Sequence, residues 1–334
     1  MNRILVYPDF DALYYSFYMY GIWDLFGEPN IQFSQQSFPA ISPQCLAFIV
    51  KGKKDIRVVV DAYDAARIID AAMEWCDVYG KVNPDLSRIP EKYLHKYLAI
   101  GPSFGIQIWP RNKAWWIALR NYRLTLLRTN STRDHFANYR RQYKYVLPLE
   151  SYVPGQVKDN YVFFLSSIWN ENQIPGTNEH RASFIEACKS LEGVTFEGGF
   201  APPSEAWQEI ARISSYITSK RVPHNEWLEK TKYSAVVFNT PAVWECHGWR
   251  LAQYLALGKA IISTPLSREL PAPLVHGREI HYVDGSPTSI HDALKTILAD
   301  HRYRERLEQN AHNYYVNFLC PTRIIQRLVD HSAK

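Results

Sequence analysis

The chain has 334 residues, 46% of them apolar, with 38 Lys and Arg against 33 Asp and Glu and a formal net charge of +5. These proportions exclude disorder and collagen-like repetition, and at about 150 residues per domain they predict two domains with ample material for hydrophobic cores. No window approaches the roughly 18 uninterrupted apolar residues of a membrane span. The five cysteines (Cys45, Cys76, Cys188, Cys246 and Cys320) are scattered, with no pair at zinc-knuckle or CxxC spacing, and point to a reducing compartment. The opening stretch MNRILVYPDF breaks at Pro8 and Asp9 and does not read as a signal peptide. The expected location is the cytoplasm, with contact at the inner face of the plasma membrane left open.

In chain order, residues 3–7, 45–50, 57–60 and 76–79 read as buried strands, and residues 13–26 and 61–75 as helices. This alternation predicts an α/β Rossmann-like lobe over residues 1–150. Within it, residues 111–144 carry nine basic side chains against one acid, Asp134, so the run supplies most of the positive balance. Residues 148–159, with Pro154 and Gly155, read as a linker. A second α/β series spans 160–318, with strands at 161–165, 194–196, 235–238, 260–263 and 280–283. Its helices fall at 179–191, 225–232, 249–257, 290–299 and 302–318. A last helix, 322–330, lies in the segment 319–334, which is expected to cross back to the first lobe.

The segment TPAVWECHGWRLAQYLALGKAIISTP, residues 240–265, carries the most chemistry. A strand delivers the chain into a loop whose glycine opens a helix, and the free amides and positive dipole end of such a helix can hold a phosphate. His247, Gly248 and Trp249 stand at this helix start, Glu245 in the loop, and Gln253 eight positions after Glu245. A carboxylate and an amide so placed could bind sugar hydroxyls or a ribose diol. They also fit a solvated loop acid and a solvated helix side chain, and spacing does not choose between the two.

This segment resembles the C-terminal lobe of GT-B glycosyltransferases of the "glycosyl transferases group 1" type, whose pattern is a Glu, two residues, a Gly, and a second Glu eight positions after the first. Glu245, Gly248, Ala256 and Gly258 fall on that pattern, and residues 221–241 resemble the family segment leading into it. The resemblance covers about residues 162–318. It implies two Rossmann-like lobes facing a central cleft and transfer of a sugar from a nucleotide-sugar donor to a glycan or lipid-linked acceptor. A role in bacterial surface polysaccharide synthesis is implied with it, and neither metal nor other cofactor is expected. By the same resemblance Glu245 is catalytic, contacting the donor sugar. Arg181 and Arg221 would face the diphosphate, with Lys220 and Arg250 as weaker choices, and His247, Gly248, Trp249 and Gln253 would complete the donor site. Two features depart from the family: Gln253 replaces its second glutamate, and YPDFD replaces its glycine-rich loop after the first strand. The paired-glutamate pattern accompanies retention, which is favoured here; inversion would need a general base, for which Asp9, Asp11, Asp61 and Asp64 are available. Asp9-Phe10-Asp11 also has the DxD spacing of a metal motif, but on the first strand it is a weak signal.

The basic run with Trp109, Trp115 and Trp116 admits other functions. It fits a solvated cationic helix face, a peripheral anionic-membrane surface or, less well in the absence of any recognised motif, a nucleic-acid surface. A non-catalytic nucleotide- or glycan-binding relative of the same fold is the remaining alternative.

Overall fold

The computed structural model describes residues 3–39, 41, 44–125, 131–170, 174–203 and 211–332. The chain divides into two compact units, one of residues 1–151, 269–272 and 317–334, the other of residues 152–268 and 273–316. Both are Rossmann-like α/β units. Among the described residues no helix is long and apolar enough to cross a membrane.

The first unit is built on strands β1 (Ile4–Val6), β2 (Ile31–Phe33), β3 (Leu46–Val50), β4 (Ile56–Asp61), β5 (Val78–Lys81) and β6 (Tyr97–Ala99), in the sheet order β2-β1-β3-β4-β5-β6. Five strands run parallel to one another, while β3 is antiparallel to both β1 and β4. Every residue of β3, Leu-Ala-Phe-Ile-Val, is buried, as a continuous apolar run in a central strand should be. Helix α1 (Ser16–Phe26) packs against the last helix of the chain, Pro321–His331. Two glycines seat that final helix: a Cβ on Gly21 would lie 2.4 Å from the Pro321 carbonyl oxygen, and one on Gly80 of β5 would lie 2.7 Å from Leu328.

The helix expected over 61–75 is largely absent. Asp61 ends β4, and only α2 (Asp70–Trp75) is helical. The cause is Asp61 itself: its buried carboxylate accepts from Tyr79 Oη at 2.6 Å, from Lys81 Nζ at 2.9 Å and from the Tyr63 amide at 2.9 Å. A side chain that satisfies the amide two residues on offers it an alternative to helix bonding.

The basic run forms two helices, α3 (Arg111–Thr125) and α4 (Thr132–Lys144). Ser131 caps α4 by accepting from the Asp134 amide at 3.3 Å. A buried polar seam joins the pair, with Asn121 donating to Tyr139 Oη at 2.9 Å and His135 Nε2 lying 3.0 Å from the Ala118 carbonyl. Trp109 is core, stacked on Tyr139, whereas Trp115 and Trp116 are 43% and 65% exposed.

The second unit holds β7 (Tyr161–Ser166), α5 (Thr177–Ser190), β8 (Thr195–Phe200), α6 (Ala211–Ser214), α7 (His224–Tyr233), β9 (Val236–Asn239), α8 (Trp249–Ala256), β10 (Ala260–Ser263), β11 (His281–Tyr282), α9 (Pro287–Ala299) and α10 (His301–Tyr314). Strands β7–β8 and β9–β10–β11 pair in parallel. The Ala235 amide, donating to the Tyr161 carbonyl at 2.8 Å, places β9 beside β7. The two-stranded sheet β7-β8 thus lies next to the three-stranded sheet β11-β10-β9. Buried on both faces, β9 and β10 read as apolar runs each closed by one polar residue, Asn239 and Ser263. Phe164, Phe184 and Phe238 form the centre of the core, the last two stacked at 4.8 Å. The helix expected over 302–318 ends at Tyr314; a π turn, Tyr315–Leu319, leads into α11 (Pro321–His331) of the first unit.

Candidate functional site

In a parallel sheet the loops that leave the carboxyl ends of the strands collect at one edge, where ligands bind. In the second unit the loops after β7, β9 and β10 meet there. Arg181, on the second turn of α5, is only 7% exposed. Its Nε donates to Thr240 Oγ1 at 3.1 Å and its Nη1 to the Ser167 carbonyl at 3.0 Å, so one guanidinium ties the β7 loop to the β9 loop.

The β9–α8 loop turns through two successive left-handed residues, Trp244 at φ 53° and Glu245 at φ 61°. Neither is glycine, so the backbone is strained. Three hydrogen bonds hold it: Ala242 N–H to the Cys246 carbonyl at 2.9 Å, Cys246 N–H to the Val243 carbonyl at 3.1 Å, and Arg268 Nη2 to the Trp244 carbonyl at 2.9 Å. The turn presents the Glu245 carboxylate outward with its side chain 63% exposed, accepting from Ser267 Oγ at 3.1 Å and lying 3.4 Å from Arg268 Nη2. So exposed an ion pair is easily exchanged for a ligand.

Gly248 begins α8 without a side-chain cap, so no side chain covers the positive end of the helix dipole. Gln253, one turn further in, is 3% exposed, and its Oε1 accepts from Arg250 Nη1 at 3.2 Å. It is not a solvated helix residue. Arg250 lies 3.5 Å from the centre of the Trp227 ring, and Trp227 stacks on His224, whose Nε2 is 2.6 Å from Tyr152 Oη. Burial, with Arg268 second, pulls the pKa of His247 down to about 4. Burial, with Arg250 second, does the same to His224. Both rings are therefore neutral near pH 7 and able to hydrogen-bond a hydroxyl. Arg221 and Lys220 are exposed in the loop before α7 and take no part in these contacts.

Asp9 and Asp11 belong to the first unit, where they line a cavity of about 440 Å³ with Tyr14, Asp64, Asp134 and His135. Burial raises both carboxyl pKa values, opposed by His135 for Asp9 and by the amides of Tyr14 and Leu13 for Asp11. Asp11 accepts from the Leu13 amide at 2.9 Å and the Tyr14 amide at 3.0 Å, as a turn anchor would. Asp61 is wholly engaged by Lys81, Tyr79 and Tyr63, a structural role. Among the described residues no three His, Cys, Asp or Glu side chains cluster as metal ligands would.

Sequence reading overlooked Thr240, Ser267 and Arg268. Each follows the carboxyl end of β9 or β10, so the order of a parallel sheet was the signal that could have found them.

No family model matches the chain, and no curated protein matches it. Among solved structures it is similar to the C-terminal domain of a glycosyl transferase group 1 family protein from Francisella tularensis, at 15% identity over 51% of this chain and 96% of that one, TM-score 0.35. It is similar to a glycosyltransferase from Rickettsia africae at 9% identity, covering 82% of this chain and 70% of that one, TM-score 0.42. A UDP-GlcNAc 2-epimerase from Neisseria meningitidis bound to UDP-GlcNAc gives 13% identity, 81% and 68% coverage and TM-score 0.42. At such scores the reaction has to be argued from the residues of the site itself.

Proposed function

We propose that the chain is a metal-independent glycosyltransferase that moves a sugar from a nucleotide-sugar donor to a hydroxyl of a glycan or lipid-linked acceptor, in bacterial surface polysaccharide synthesis. The observation that carries this reading is the convergence of Arg181, Thr240, Glu245, Arg268 and the uncapped start of α8 at one edge of a parallel sheet. Such an edge offers a guanidinium and helix amides to a departing diphosphate. It also sets an accessible carboxylate on a strained turn beside them. In this reading Glu245 leaves Arg268 to accept hydrogen bonds from the donor sugar. Arg181 and Arg268 then face the phosphates, and His247 and Gln253 stand by the nucleoside. Retention at the anomeric carbon is favoured.

The test is a thermal-shift panel of UDP, GDP, CDP, ADP and dTDP and their common sugars, with and without magnesium. A ligand at 100 times its Kd stabilises by about 2.7 kcal/mol. The expected outcome is a shift with one nucleotide, unchanged by magnesium, followed by donor turnover that Glu245→Ala abolishes. Folded protein that no nucleotide stabilises would overturn the proposal.

A further inference from the structure

A second cavity of the first unit, about 670 Å³, lies between α1, β2 and α3. Its walls include Trp23, Pro29, Phe33, Trp109 and Trp116, and one guanidinium, Arg120, reaches into it. Arg120 lies 4.8 Å from the Phe33 ring centre and 5.5 Å from that of Trp116. Its Nε is buried, and among the described residues Arg120 forms neither a hydrogen bond nor an ion pair. The other cation of the cavity, Lys113, is already paired with Glu28. A buried guanidinium nitrogen with no acceptor is costly, and the group matching the guanidinium fork is a phosphate or carboxylate.

The outer face of α3 identifies what would carry that anion. Trp115, Trp116, Leu119 and Leu124 are all large, apolar and more than a third exposed, and Arg111 and Arg123 are exposed beside them. Cations with tryptophan and leucine on one helix face suit an anionic bilayer surface. A nucleic acid fits less well: the Trp115 ring is already stacked on Phe136 at 5.6 Å, Arg120 lies near the Trp116 ring, and Leu119 and Leu124 offer bases nothing to stack on.

We propose that α3 docks on an anionic membrane and that the cavity beneath it takes a lipid phosphate, with Arg120 as its ligand and Trp116 at its rim. This interaction surface is independent of the donor site and is tested without nucleotide. Two arms separate the bilayer from the phosphate: co-sedimentation with vesicles of phosphatidylcholine alone or with phosphatidylglycerol added, and titration with dihexanoyl phosphatidic acid below its micellar concentration. Wild type should bind the anionic vesicles at least tenfold more tightly than the neutral ones, with a blue shift of tryptophan emission.

Arg120→Gln should lose about tenfold in affinity for the soluble phosphatidic acid. Arg123→Gln should leave that affinity unchanged and weaken vesicle binding about fivefold. Trp116→Ala should weaken both, and circular dichroism should confirm that each variant is folded. Equal phosphatidic acid affinity in wild type and Arg120→Gln would overturn the cavity assignment. Equal binding to neutral and anionic vesicles, or binding of a single-stranded oligonucleotide in place of vesicles, would overturn the membrane surface.

Discussion

Glu245 stands in the left-handed region at φ 61°, where an L-residue costs roughly 1–2 kcal/mol and glycine costs none. Its carboxylate contributes little to the fold, since an ion pair to Arg268 at 3.4 Å with the acid 63% exposed is worth about 0–1 kcal/mol. Comparing Glu245→Gly with Glu245→Ala isolates the backbone, because both variants lose the carboxylate equally. Glycine relieves the roughly 1–2 kcal/mol but loses about 0.4–1 kcal/mol through the greater freedom of its unfolded chain. The glycine variant should therefore be more stable than the alanine variant by about 0.5–1 kcal/mol, while neither transfers sugar. Urea unfolding followed by tryptophan fluorescence reads the stability difference, and product chromatography reads the activity. An alanine variant as stable as the glycine variant, or more so, would refute the argument that the turn holds its acid under strain.

The low pKa of His247 fixes the direction of a pH effect. Its folded value is about 4 against an ordinary value near 6.5, so between these the unfolded chain binds the extra proton and stability falls with pH. The contribution is complete above pH 6.5 and lost toward pH 4; by pH 4.5 it amounts to roughly 2–3 kcal/mol. Denaturant unfolding at pH 7 and 4.5 should show His247→Gln losing less stability than wild type by about that amount, whereas parallel losses would exclude a buried neutral ring. Gly21→Ala places a Cβ 2.4 Å from the Pro321 carbonyl, and the overpacking, less the gain in helix propensity, should cost about 1–2 kcal/mol. A melt as high as wild type would show that α11 can yield. Arg181→Met removes the guanidinium that the proposed donor site sets against the diphosphate and should weaken nucleotide binding on the order of tenfold to a hundredfold; calorimetry giving an unchanged Kd would remove Arg181 from that site.

In the second unit β9 and β10 were the most legible in sequence because both are buried on both faces. Ala260–Ser263 stands as a strand between the very residues the apolar run marks, and Gly248 opens α8 where the glycine fell. In the first unit the direction of β3 had no signature, since strand periodicity is the same for parallel and antiparallel pairing. The helix expected after Asp61 failed because its carboxylate is buried against Tyr79 and Lys81 of the neighbouring strand, a tertiary effect invisible to local propensity. At the candidate site, Glu245 and Gly248 were singled out by the family pattern they resemble and Arg181 by its place in the first helix of the second series. The burial of Gln253 beneath Arg250 was not visible, because an amide on a short helix reads alike whether it faces solvent or core. Arg268 was missed because its partners, Glu245 and the Trp244 carbonyl, lie one strand earlier in the chain.

The placement of α11 in the first unit sets an order of events on the ribosome. The chain lays down most of the first unit, then the whole of the second, and only afterwards the helix that covers Gly21 and Gly80. Since domains fold as units while synthesis proceeds, residues 152–316 can reach their native state while the earlier-made sheet still lacks the helix that packs on it. The nascent first unit thus exposes an apolar face until residues 321–331 emerge.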